Sequence, residues 1–572
     1  MTYLVSALET RTDIQYGENN HIEYKWSLVQ QERILQLSYQ LVRTSDRQKM
    51  LLLGRMFKSC FEDGSKEDQK LLLKLLAHTR DTETGKGEYA LSFILLKELM
   101  TINKSLFVEI MKRFVGYEND CMITPPYGSW KDIKYYCNEI ESCPTELAEM
   151  VNGQLNIDIE HMKENAVCSL VAKWIPRETN RKFGWINVIL AKHYFQATYG
   201  KKGWSLSATR KAQTHYRQIV SSLNKYIDTV QIKQCGHEWS KIDFEKVTSI
   251  TMMKQKRAFL NKNNRNHNNN PNYYTHRIGD RIQCRQNMLT YIEEVKNGSK
   301  EMKGKHTCMV DFVKAALSVC IDDDENTYDE NDFEAETFII NEAWNNSSKL
   351  INKLDNVIAM VDTSGSMESD NCQPLYSAMG LGIRVAEKST LGKRILTFDN
   401  RPSWVNLDDC PDFVSSVRKL NAVRSGLNTN FYSTMELILD TLVENNIPAE
   451  EVESLVLAVF STMQFDAAES SETLLNGTVR QILEQKFHDA GVKICGRGYK
   501  LPHILYWNVR STSGFPELSY QDNVTMLSGY SPMLLNAFVN NGANGLKNIT
   551  PWTMLTNMLD KKRYNHLEYL IE

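Results

Sequence analysis

An apolar run that stops abruptly on an acid constrains this chain more than any other feature. Residues 357–361 read Val-Ile-Ala-Met-Val and pass directly into Asp362-Thr-Ser-Gly-Ser-Met367. Five consecutive apolar residues, with no polar alternation, are the pattern of a strand buried on both faces of a parallel sheet. In open α/β sheets, ligands sit beyond the carboxyl ends of the strands, and the Asp-x-Ser-x-Ser loop falls at that end. A carboxylate and two hydroxyls on one tight loop suit a hard divalent cation, which takes oxygen ligands and keeps some of its water. Asp362, Ser364 and Ser366 are therefore candidate ligands, with magnesium as the expected ion. Such a loop leaves one coordination position for an acidic partner. It is not a catalytic site in itself, and no catalytic residue is assigned.

From residue 352 onward the pattern alternates. Strands are expected at 356–361, 394–398, 454–460, 503–507 and 523–527, and helices at 375–388, 411–419, 431–445, 470–489 and 531–540. Strands separated by helical segments indicate a doubly wound parallel sheet. Residues 1 to about 345 instead repeat apolar positions every three or four residues, with short punctuation such as Asp63-Gly64-Ser65 and Pro125-Pro126-Tyr127-Gly128. That is the signature of short helices in a helical array, although no fixed repeat period emerges. The expected fold class is α plus α/β: an all-α module over 1–350, an α/β domain over 351–530, and C-terminal helices over 531–572 that pack back on the first module.

Segment 199–305 carries 21 Lys and Arg against 8 Asp and Glu, while the whole chain has a formal net charge of only -3. A local surplus of this size attracts polyanions. Lys201, Lys202, Arg210, Lys211, Arg217, Lys254, Lys256, Arg257, Lys262, Arg265, Arg277, Arg281 and Arg285 are the candidate phosphate contacts. Trp204, His215, Tyr216, Tyr273, Tyr274 and His276 are interleaved and offer rings for stacking. A solvated helix face is the competing explanation of the same charges. The acidic stretch that follows, from Asp322 through Glu336, reads as a solvated loop between the two halves, since it lacks the ligand spacing and turn glycine of an EF-hand.

Other signals are weaker. Twelve scattered cysteines form no Cys-x-x-Cys pair, which suits free thiols in a reducing compartment and not structural zinc. No window is apolar enough to cross a membrane. The start, Met1-Thr-Tyr-Leu-Val, lacks the basic-then-apolar order of a signal peptide, so a cytoplasmic location is expected. Gly85-Lys86-Gly87 fails the phosphate-loop pattern and reads as a turn. His503 reads as a core histidine, and Asn508 and Arg510 as braces of a loop. Nothing in the sequence sets an oligomeric state.

The Asp-x-Ser-x-Ser segment resembles the metal-ion-dependent adhesion motif (MIDAS) of von Willebrand factor A domains, over about 352–530. That resemblance implies a fourth ligand from a second loop, matched here by Thr429 in Asn428-Thr429-Asn430, a triplet that reads equally as a helix cap. It also implies an acid where this chain has Thr462. Two outcomes stay open: Asp466 substitutes from the next turn, or the site holds Mg2+ weakly or not at all.

A helical module followed by an A-type domain is also the plan of the TROVE (Ro-type) proteins. More specifically, the chain resembles the uncharacterised family called domain of unknown function 2828, found in plants, fungi and giant DNA viruses. Arg80-Asp81 through Glu88, Tyr127 through Asp132, Ala172-Lys-Trp-Ile-Pro176, Pro502-His-Ile504, Trp507-Asn-Val-Arg510 and Gly514-Phe-Pro516 carry the match. The Asn-rich insert after Asn261 and only 13 prolines suggest an A+T-rich genome and a viral member, resident in host cytoplasm or virion. The TROVE resemblance implies HEAT-like repeats and RNA binding in a ribonucleoprotein scaffold. The alternative is a metal-dependent protein-interaction module, without nucleic acid, whose partner supplies an acidic side chain. Neither is an enzyme.

Overall fold

The computed structural model describes residues 14–117, 125–262, 279–324, 330–398, 402–424, 430–466, 479–536 and 549–571. The second half is built on a six-stranded sheet of strands Val357–Asp362, Arg394–Phe398, Ser403–Asn406, Val456–Ser461, His503–Asn508 and Val524–Ser528. We number these β3 to β8 in chain order. Their order across the sheet is β5-β4-β3-β6-β7-β8. All neighbours are parallel except β5, which runs antiparallel to β4 at the edge. Every residue of β6, β7 and β8 is buried, which explains why these strands are mostly apolar without a two-residue alternation.

The expected strands lie within two residues of the observed ones. The sheet gains β5, whose four residues are too short to stand out beside β4. Expected helix 375–388 is the regular part of a longer element, Ser369–Lys388, entered through three left-handed residues, Asp370 to Cys372. This helix packs on β3, β4 and β6. Of the expected helix at 531–540, a 3-10 turn covers Pro532–Leu534, residues 535 and 536 are helical, and 537–548 lie outside the described residues.

The first half is helical from Gln30 onward, with amphipathic helices such as α1 (Gln30–Gln40), α2 (Arg47–Asp63), α3 (Lys66–Arg80) and α4 (Tyr89–Ile102). Two of the four, α2 and α3, are capped by local side chains, Asp46 and Ser65. Ser65 and Asp68 form a reciprocal capping box at the start of α3, satisfying donors that have no partner within the helix. Contrary to the all-helical expectation, residues 14–24 form a hairpin of β1 (Ile14–Tyr16) and β2 (Ile22–Tyr24). Three-residue strands are too short to declare themselves by alternation.

The acidic stretch also departs from expectation. Glu330–Ser348 is a helix, not a loop, and Glu336 within it is 1% exposed. The end of this helix is packed tightly against the second half. Arg384 of helix 369–388 is buried, with its guanidinium 3.6 Å from the Trp344 ring centroid. It donates to the Trp344 carbonyl and to Ser347 Oγ, and Trp344 stacks on Phe413 at 3.8 Å.

The two halves share one continuous core, and buried polar groups stitch the seam. Lys86 is the centre of one such joint. Its Nζ donates to the carbonyls of Ser38 and Leu41 at the end of α1 and to Ser528 Oγ at the end of β8. Burial pushes this ammonium down to about 7, opposed by Glu88.

Glu517 is the opposite case. Burial pushes its carboxyl up to about 8, while Arg480, 3.9 Å away, pulls it back. The unfolded chain releases this proton near the ordinary value of about 4.5, so the folded state binds more protons across the interval between. Stability supplied by the neutral carboxyl is full below that interval and falls as pH rises through it to about 8. Glu517→Gln should therefore flatten the pH dependence of the melting temperature between about pH 5 and pH 8 relative to wild type. Parallel melting curves for the two proteins would contradict this.

Candidate cation site at the switch point of the sheet

The strand order reverses between β3 and β6, since β4 continues on one side and β7 on the other. At such a switch point, successive connections leave in opposite directions and a crevice opens beyond the carboxyl ends. Asp362 ends β3 and Ser461 ends β6, held level by the pairing of Val361 with Phe460. The predicted loop residues do come together here. Asp362 is fully buried. One carboxylate oxygen accepts from the Ser364 backbone N–H at 2.9 Å, the other from Ser461 Oγ at 2.6 Å. Ser364 Oγ lies 3.0 Å from Ser366 Oγ, which lies 3.2 Å from Thr462 Oγ1.

Burial pushes the Asp362 carboxyl up to about 6. The hydrogen bonds from Ser461 and Ser364 oppose this, and the charge of Asp466 adds to it. Asp466 itself is drawn toward the hairpin, accepting from Asn19 Nδ2 at 3.0 Å. Thr429 lies outside the described residues. Ser461 escaped the sequence reading. The signal was available, because a polar residue ends an apolar strand directly opposite Asp362.

The N-terminal hairpin lies along this edge. Gln464 Oε1 accepts from the Glu18 N–H at 2.6 Å, and Gln464 Nε2 donates to Glu23 at 3.1 Å. Tyr24 and Phe515 exchange two backbone hydrogen bonds of 2.9 Å. The Glu23 carboxyl group fills the space beside Gly514, where a Cβ would stand 1.9 Å from its carboxyl carbon and displace that side chain. Arg510 pairs with Glu18, and Asn508 accepts from the Arg510 N–H and donates to the Tyr39 carbonyl. His503 is buried against Thr525. Among the described residues, no three His, Cys, Asp or Glu side chains gather as a metal set. A cation here would rest on one carboxylate and several hydroxyls, a hard, oxygen-only set of low charge.

The predicted basic face divides in two. Lys256, Arg257 and Lys262 converge on buried Glu336, at 3.9, 3.2 and 2.8 Å. Arg281 stacks on Trp239 at 3.6 Å and donates to the Ala258 carbonyl, while Arg285 donates to the Leu260 carbonyl. The first three tie the segment to helix Glu330–Ser348, and the two arginines tie helix Gly279–Lys296 to the end of helix Ser249–Phe259. Arg217 pairs with Glu178. By contrast, Lys201, Lys202, Arg210, Lys211 and Lys254 are exposed. Arg210 and Lys211 line a shallow groove with Leu206 and His215 on helix Leu206–Ile227. Arg265, Arg277, Tyr273, Tyr274 and His276 lie outside the described residues.

The family model called domain of unknown function (DUF2828) matches residues 144–271. The resemblance to DUF2828 stands. A second model, domain of unknown function (DUF7788), matches residues 356–565 and so takes in the sheet and the cation loop. The C-terminal stretches that sequence reading attached to DUF2828 fall under this second model. Over 530 residues the chain is 26% identical to Uncharacterized protein L728 of Acanthamoeba polyphaga mimivirus, covering 88% of this chain and 81% of that one. The Deinococcus radiodurans RO (RSR) protein crystal structure aligns over 89% of this chain and 99% of its own, at 11% identity and a TM-score of 0.35. At that score the likeness fixes neither fold nor ligand. No helix among the described residues is long and apolar enough to cross a membrane.

Proposed function

We propose that this DUF2828-type chain is a non-enzymatic, RNA-binding scaffold. A HEAT-like helical module (1–350) presents a basic face, and a von Willebrand A-like domain (351–530) holds a magnesium ion at a MIDAS-like edge. The observation that carries the RNA reading is the exposed strip Lys201, Lys202, Arg210 and Lys211, none of which has a carboxylate partner among the described residues. Cations left unneutralised by the protein are available to phosphates, and counterion release makes such binding salt-sensitive. Replacing all four by alanine should weaken the binding of a labelled single-stranded RNA and reduce the slope of log affinity against log salt by about 3. No RNA association in anisotropy titrations at about 50 mM salt would contradict the reading.

A second reading is supported by the switch-point oxygens. There a partner's acidic side chain would complete the shell of a magnesium ion held by Asp362, Ser364, Ser366 and Thr462, without nucleic acid. Magnesium supplies in this setting only a positive centre for that carboxylate.

A further inference from the structure

A second cluster of cations lies outside segment 199–305. Lys131 and Lys134 occupy one face of helix Lys131–Glu139, Lys173 precedes Trp174 in helix Val171–Trp174, and Lys182 lies in the loop before Phe183. All four point at one group of rings. Lys131 Nζ is 5.0 Å from the Tyr135 centroid, 5.6 Å from Tyr89 and 5.9 Å from Trp174. Lys134 Nζ is 4.6 Å from Trp174 and 5.5 Å from Phe183. Lys173 is 5.5 Å from Trp174, and Lys182 is 5.3 Å from Phe183.

No carboxylate among the described residues pairs with any of the four. The one acid beside them, Asp132, is taken by both Nε and Nη2 of Arg80, at 2.7 and 2.9 Å. Rings attract cations but carry no net charge, so these contacts offset each ammonium only weakly. Lys131 also stands in the first turn of its helix, where the backbone dipole disfavours a cation. Burial holds the Lys131 and Lys134 ammonium groups below the usual lysine range; the charge of Asp132 partly opposes this at Lys131, and neighbouring cations add to it. The recess beneath them, lined by Trp130, Ile133, Val171 and Pro176, holds only about 10 Å³ and is closed core. The ring surface open to a ligand is that of exposed Tyr89 and half-buried Tyr135 and Trp174, and its rim is cationic.

We infer that the Lys131–Lys134–Lys173–Lys182 cluster, with Trp174, is a binding site for a phosphorylated nucleobase, the phosphates on the ammonium groups and the base against the ring wall. The inference deepens the RNA reading and moves its base-recognising contact away from the Leu206–Ile227 helix. The ligand's source is either a single strand or a free nucleotide.

The test uses the full chain with labelled oligouridylate, with UTP, tripolyphosphate and polyglutamate as competitors. Lys131→Ala/Lys134→Ala should weaken strand binding about tenfold or more and reduce the salt slope by about 1 to 2. Trp174→Ala should weaken it by a similar factor while leaving the salt slope unchanged. Melting curves check that each variant is folded, and Lys134→Arg should retain binding. Displacement of the strand by UTP at stoichiometric levels assigns the site to a free nucleotide. Displacement only by a second strand assigns it to single-stranded nucleic acid. Wild-type binding that both variants leave intact overturns the inference and leaves the RNA reading standing. UTP binding that depends on the cluster, without strand binding, supports the site and overturns the RNA reading. Equal competition by tripolyphosphate or polyglutamate shows charge capture without base recognition and overturns the inference, as does binding of neither strand nor UTP.

Discussion

Replacing Asp81 by alanine should destabilise the chain by about 3–5 kcal/mol, the usual cost of removing one partner from a buried ion pair. Asp81 has no exposed surface. It accepts from Arg563 Nε and Nη2 at 2.9 and 2.8 Å, from Tyr564 Oη at 2.7 Å, from Thr84 Oγ1 at 2.8 Å and from the Glu83 N–H at 3.0 Å. Burial alone would raise this carboxyl, but the hydrogen bond and charge of Arg563 outweigh it and hold the group below the ordinary carboxylate range. Alanine would leave Arg563 with its charge half-enclosed against Tyr127 and the Pro126 carbonyl. The same residue anchors the C-terminal helices, since Pro551–Leu559 and Lys562–Asn565 both lie against α3. The shift should appear in the denaturation midpoint, and limited proteolysis should cut the C-terminal segment first. A loss below about 1 kcal/mol would show that the joint is not structural.

The second large effect concerns Asp362. If the switch-point oxygens hold a divalent cation, magnesium stabilises the folded chain by mass action, by about 2.7 kcal/mol at a hundred times the dissociation constant. Asp362→Ala removes the one carboxylate that the described residues place among these hydrogen-bonded oxygens and should abolish that stabilisation. Thr462→Asp should do the reverse. Thr462 Oγ1 lies 3.2 Å from Ser366 Oγ, so a carboxylate at this position adds charge to the same group of oxygens. Charge count strongly tunes affinity for hard cations.

Much of the sheet was legible because β3 and β6 are nearly continuous apolar runs, and the position of the Asp-x-Ser-x-Ser loop was legible because it follows β3 with no gap. What could not be read depended on distant partners. Glu23 and Gln15 of the hairpin look like surface residues until the loops carrying Gln464 and Gly514 are brought beside them. Charge counting along the chain misled in a specific way. Lys256, Arg257 and Lys262 swell the surplus of 199–305, yet Glu336, just outside that window, neutralises them. The Lys131 to Lys182 cluster went unnoticed for the converse reason. Its lysines are spread over three stretches, and only the packing of two helices and a loop assembles them. Arg80, Asp81 and Lys86, which carry part of the family resemblance, are buried joints with their charges satisfied inside the protein.

The most direct test of the central claim is calorimetric titration of magnesium into the wild-type chain and its Asp362→Ala variant. A single saturable site in the wild type, absent from the variant, is the expected result. No saturable binding in the wild type, or equal binding by the two proteins, would contradict a cation at the ends of β3 and β6.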